Sequence, residues 1–169
     1  MISCDGAVPA RPSVDLSNGG TTVLLSCLQL TGGGLAESRW ERAFMSWLAD
    51  KDQTYVGHGC VGFDLRDLLW DKEQFLAQKE FLLRVVDTAL GEEVWKRLSY
   101  DPPHARTYLE QLRELVAPLS WSMVEGGGPT RRWPWPADDW TPPRCDKDGV
   151  IESDTYGCPV CNHAASFLD

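Results

Sequence analysis

Thr21-Thr22-Val23-Leu24-Leu25-Ser26-Cys27-Leu28-Gln29-Leu30 runs directly into Thr31-Gly32-Gly33-Gly34. It is short, opens on β-branched residues and is mostly apolar, which predicts a buried strand with the glycines as its stop. Before it, residues 1–20 are rich in Gly, Pro, Ser and Asp and read as an extended leader. After it, Trp40, Phe44, Trp47 and Leu48 recur at helical spacing within residues 37–50 and predict one amphipathic helix. Asp64–Trp70 reads as a short helix. Asp71 with Gln74 resembles a capping box that opens a longer helix to about Leu90, with Phe75, Leu82, Val86 and Ala89 on one face and Gly91 as the stop. Glu92–Leu98 reads as a further short helix. Asp101 then caps a helix that starts at Pro102-Pro103, ends near Val116 and buries Tyr108, Leu109, Leu112, Leu115 and Val116.

From Ser120 the character changes. Gly126-Gly127-Gly128-Pro129 marks a break, and Trp133-Pro134-Trp135-Pro136 and Trp140-Thr141-Pro142-Pro143 cannot continue a helix. Half of the eight tryptophans fall between residues 121 and 140, so this arm is expected to dock its rings on the body or on a partner.

The chain has 169 residues, 43% of them hydrophobic and 24% charged, which suits a soluble globular protein whose body folds by burial alone. No apolar run approaches the roughly 20 residues that span a bilayer, and the first residues lack the pattern of a signal peptide. The expectation is a cytoplasmic protein with no membrane partner, whose six cysteines are free or metal-bound rather than paired. The formal charge of −9, from 25 acidic and 16 basic residues, repels phosphate backbones. It points away from nucleic acid and toward a basic protein partner.

The chemistry is concentrated at the C-terminus. Cys158-Pro159-Val160-Cys161 aims two thiols at one soft cation, Cys145 supplies a third, and tetrahedral zinc needs four ligands. The stretch Cys145-Asp146-Lys147-Asp148-Gly149 … Gly157-Cys158-Pro159-Val160-Cys161 resembles the zinc-ribbon or treble-clef knuckle written C-x-x-H-G … G-C-P-x-C. The resemblance implies a structural zinc ion held by a short hairpin around Val150-Ile151 and Asp154–Tyr156. Asp148 stands where that pattern has its His ligand. The fourth ligand is therefore Asp148, or His163 just past the knuckle, or His58 or Cys60 from the body. A disulfide or three unrelated thiols remain the alternatives. A redox Cys-x-x-Cys is disfavoured, because that motif opens a helix and this one sits in Pro-rich sequence.

Two other constellations carry weaker signals. His58-Gly59-Cys60, with Asp64 nearby, places an imidazole and a thiol in a glycine-rich turn, as a Cys nucleophile with a local base would require. Glu92, Glu93, Asp101 and His104 pair carboxylates with a histidine, but read more simply as helix-end charges. No phosphate-binding glycine loop is present.

The fold class expected is α+β: a helix-rich body (residues 1–120) with a short strand or small sheet, a Trp/Pro/Gly-rich arm (121–144) and a zinc-knuckle lobe (145–169) packed on the body. The function expected is a zinc-stabilised acidic module of inhibitor, immunity or adaptor type, engaging a basic protein, with Trp133, Trp135 and Trp140 in the contact. The alternative is a hydrolase or transferase that uses Cys60 and His58.

Overall fold

The apolar run at residues 21–30 forms the middle of a helix, α1 (Asn18–Leu35), and not a strand. The computed structural model describes residues 2–4, 13–52, 62–98, 100–127 and 141–162. Within them α1 is the central element, packed against α2 (Arg39–Lys51), α3 (Phe75–Glu92), α4 (Ala105–Val116) and a 3-10 turn at Val94–Arg97. That position explains why the sequence misleads. Val23, Leu24, Leu25, Ser26, Cys27, Leu28 and Gln29 are consecutive and all buried, so no face is left polar to mark a 3.6-residue period. Ser17 caps the start, its side chain accepting from the Gly20 N–H at 3.1 Å, and Thr21 and Thr22 return their hydroxyls to the carbonyls of Ser17 and Asn18.

The three glycines do not end α1 either. They lie in its last two turns because neighbours press on two of them. A Cβ on Gly32 would come within 2.5 Å of Met45 Sδ in α2. A Cβ on Gly33 would meet backbone of the C-terminal lobe, Val150 Cα at 2.7 Å and the Gly149 carbonyl at 2.8 Å. On Gly34 it would meet nothing within 4 Å.

The other helices follow their apolar stripes. α2 opens on a full capping box, Ser38 with Glu41, and buries Trp40, Phe44, Trp47 and Leu48. Trp40 stacks on Phe44 with centroids 5.6 Å apart and donates its indole N–H to the Leu69 carbonyl at 2.7 Å. α3 buries Phe75, Leu82, Val86 and Ala89 as the spacing predicts. Two polar side chains near its start have partners: Gln78 accepts from the Asp71 N–H at 3.0 Å, and Lys79 reaches the Leu119 carbonyl at 2.8 Å. Asp71 accepts from the N–H groups of Glu73 and Gln74, so it caps the turn before the helix. α3 passes through Gly91 and stops at Glu93, which takes the left-handed conformation (φ 50°) and ion-pairs with Lys96 and Arg106. The helix expected to start at Pro102-Pro103 begins at Ala105, and its Tyr108 is only partly buried.

The strand content lies elsewhere than expected. β1 (Ile2–Ser3) pairs in parallel with β2 (Phe63–Asp64), Ile2 opposite Phe63, and Ile2 also exchanges two backbone hydrogen bonds with Val14. Residues 64–70 begin with β2 and a 3-10 turn at Leu65–Asp67 rather than an α-helix. The class is thus α+β, helix-rich, with a minimal two-stranded sheet whose Ile2 and Phe63 belong to the main core. At the start of the arm, α5 (Trp121–Val124) packs Trp121 edge-on to Phe75 at 6.1 Å. No helix of the described residues is long and apolar enough to cross a membrane.

Candidate metal centre

The C-terminal lobe is two tight turns facing each other. In the first, the Cys145 N–H donates to the Val150 carbonyl and the Gly149 N–H to the Cys145 carbonyl, both at 2.9 Å. In the second, Ser153 and Gly157 exchange backbone hydrogen bonds at 2.9 and 3.1 Å. Gly149 (φ 72°) and Gly157 (φ 78°) are left-handed, which is why glycine precedes or follows each ligand-bearing turn. Pro159 then starts a one-turn helix, α6 (Pro159–Asn162), where the sequence reading expected coil. The turn brings the Cys161 N–H to Cys158 Sγ at 3.3 Å.

These turns gather Cys145, Asp148, Cys158 and Cys161, with one ligand atom from each and all four atoms within 4.8 Å of one another. A tetrahedral ion with zinc-length bonds spaces its sulfurs about 3.8 Å apart and its sulfur and oxygen ligands about 3.5 Å apart. Cys145 and Cys161 sulfurs are 3.7 Å apart. Asp148 Oδ2 lies 3.6 Å from the Cys145 sulfur and 3.5 Å from that of Cys158, and accepts from the Cys161 thiol at 2.9 Å. Three thiols and a carboxylate can therefore surround a metal ion with little rearrangement.

Burial alone would raise the Asp148 carboxyl, but the thiols of Cys161, Cys158 and Cys145 all donate to it and keep it below the usual carboxylate range. The bond to Asp148, with burial second, pushes the Cys161 thiol up to about 11. Burial is the main reason that Cys158 is also raised. A dication among these atoms would take over the role of the thiol protons, which leave as it binds.

Among the described residues the lobe is fastened to the body through Arg144, Gly33, Ser153 and Ile151. Arg144 donates to the Gly33 carbonyl, to the Ala36 carbonyl at 3.3 Å and to the Gly149 carbonyl at 3.1 Å. It thereby satisfies carbonyls that the end of α1 leaves open and places a positive charge at that helix C-terminus. Gly33 lets the backbone at Gly149 and Val150 lie directly on α1. Ser153 donates its hydroxyl to Asp50 in the last turn of α2 and accepts the N–H groups of Thr155 and Tyr156. Ile151 completes the join by entering the main core. Sequence reasoning missed Arg144, Gly33, Asp50 and Ser153. Only Gly33 left a signal, as a glycine inside an apolar run.

Burial is the leading cause that lifts the Asp50 carboxyl above its ordinary value of 3.8, opposed by the bond from Ser153 and reinforced by the charge of Asp154. With the folded value raised, the folded chain holds this proton more tightly than the unfolded chain. Asp50 therefore costs stability as pH rises through the folded value, and the cost persists at neutral pH. Asp50→Asn keeps an acceptor for Ser153 and removes a charge that also opposes the dipole of α2. The variant is expected to melt higher than the parent at about pH 7, with the difference fading below about pH 3. A lower melting temperature at neutral pH would contradict this.

The remaining candidates separate clearly. Asp64 caps the 3-10 turn by accepting from the Arg66 N–H at 2.7 Å. Glu93 is committed to Lys96 and Arg106, the bond from Lys96 doing most to hold its carboxyl below the usual range. His104 has a left-handed backbone (φ 70°) and its ring lies 6.2 Å from that of Tyr108. His58, Cys60, His163, Trp133, Trp135 and Trp140 lie outside the described residues. Comparison of the chain with protein-family models, with curated proteins and with solved structures finds no match.

Proposed function

We propose that the chain is a zinc-stabilised acidic binding module, of inhibitor, immunity or adaptor type, that engages a basic protein. The observation that carries the zinc half is the cluster of Cys145, Asp148, Cys158 and Cys161 within 4.8 Å. Three thiolates and one carboxylate suit a borderline-soft d¹⁰ cation better than calcium or magnesium, which favour oxygen donors throughout. The ion's role is structural: it closes two turns that bury too little apolar surface to fold alone, and it holds them where Arg144, Ser153 and Ile151 meet the body.

The binding half is supported by the charge of −9. An acidic surface raises encounter rates with basic partners and rejects acidic ones. Binding of the zinc-loaded chain to a panel of small basic proteins, measured at low and high salt, tests it. The expected result is a subset of binders whose affinity falls steeply as salt rises. Failure to bind any of them at low salt would remove the partner reading and leave the metal site untouched.

A further inference from the structure

We propose that Cys145 and Cys161 form an oxidation site, at which peroxide joins the two sulfurs and expels the metal. The inference rests on the zinc reading. Three features of the lobe support it. The Cys145 and Cys161 sulfurs are 3.7 Å apart, so closing to a disulfide of about 2.05 Å asks for side-chain rotation more than for refolding. Cys161 is the partly exposed member of the trio, whereas Cys145 and Cys158 are each only 7% exposed, so a small oxidant reaches Cys161 first. Cys158 is further shielded because its sulfur accepts the Cys161 backbone N–H at 3.3 Å, which draws electron density away from the nucleophile.

The chemistry balances without any other reagent. The Cys161 thiolate attacks one peroxide oxygen; the O–O bond breaks, Cys161 becomes a sulfenic acid and hydroxide leaves. The Cys145 thiolate then attacks the Cys161 sulfur; an S–S bond forms and a second hydroxide leaves. Two thiolates have lost two electrons and one peroxide has gained them. Cys158 and Asp148 remain as ligands. One thiolate and one carboxylate are too few to retain zinc, and the ion departs as a dication. A dithiol reductant with added zinc restores the site. Cys4 and Cys27, both fully buried in the body core, are spectators.

The test is to treat the zinc-loaded full chain with hydrogen peroxide, follow released zinc with a chromogenic chelator and map disulfides by mass spectrometry without reduction. The expected result is about one zinc released per disulfide formed, with Cys145 linked to Cys161 and both changes reversed by dithiothreitol and zinc. Cys27→Ser should behave as the parent does. Zinc retained under peroxide that fully oxidises a free-thiol control would overturn the inference alone. So would a disulfide that joins Cys158 to either neighbour. A chain that takes up no zinc at all would overturn the zinc reading together with it.

Discussion

Cys158→Ser is expected to lose the metal ion completely and to open residues 141–162 while the helical body stays folded. Cys158 is buried, its sulfur is 3.5 Å from Asp148 Oδ2, and its N-terminal neighbour Gly157 is held in the second turn of the lobe. A serine hydroxyl at that place is a poor zinc ligand, because it does not ionise at neutral pH. Structural zinc contributes about 10–16 kcal/mol in small domains, far more than burial of Cys145, Val150 and Cys158 can replace. The body keeps its own core, built largely on α1–α4, and among the described residues Ile151 is the lobe's one contribution to it. Far-UV circular dichroism should therefore change little. The backbone N–H groups of Cys145, Gly149, Ser153 and Gly157, all hydrogen-bonded within the lobe, should lose protection from exchange. Full metal content in the variant, or undiminished protection at those amides, would contradict the assignment of Cys158.

The second large effect is a reversal of sign between adjacent glycines. Gly→Ala inside a helix is worth about 0.5–1 kcal/mol when nothing stands in the way. Gly34 meets that condition, so Gly34→Ala should stabilise the chain, toward the low end because α1 ends at Leu35. At Gly33 the same methyl lands on backbone atoms of Val150 and Gly149 that cannot rotate away. Overpacking of that kind costs about 1–3 kcal/mol, which exceeds the propensity gain. Gly33→Ala should be net destabilising and should weaken metal retention as the lobe is pushed off α1. Chemical denaturation of the two variants beside the parent measures both signs. Stabilisation by both substitutions would mean that the lobe does not rest on Gly33.

Elements with one wet face were legible in the sequence. The spacing of Trp40, Phe44, Trp47 and Leu48 identified α2, and that of Phe75, Leu82, Val86 and Ala89 identified α3, because water on the far side imposes a period. α1 was misread for the converse reason: burial on nearly every side erases the period, and close packing calls for glycines that mimic a stop signal. Gly91 was misread as a helix end because Glu93, anchored by two cations, bears the left-handed cap instead. The gathering of Cys145, Cys158 and Cys161 was legible because the three are local and their two turns demand glycine at fixed places, whereas Asp148 was one of four residues the sequence offered beside them. The fastening of the lobe was not. Arg144 to the end of α1 and Ser153 to Asp50 span more than a hundred residues, and no local pattern encodes such pairs.

Cys145, Asp148, Cys158 and Cys161 together are expected to hold one zinc ion. X-ray absorption at the zinc edge of the purified chain, with the metal quantified in the same sample, reads the ligand set itself. The predicted result is one zinc per chain, with three sulfur neighbours at about 2.3 Å and one oxygen neighbour at about 2.0 Å. A metal-free chain after purification with zinc present, or a zinc shell of nitrogen and oxygen without sulfur, would contradict it.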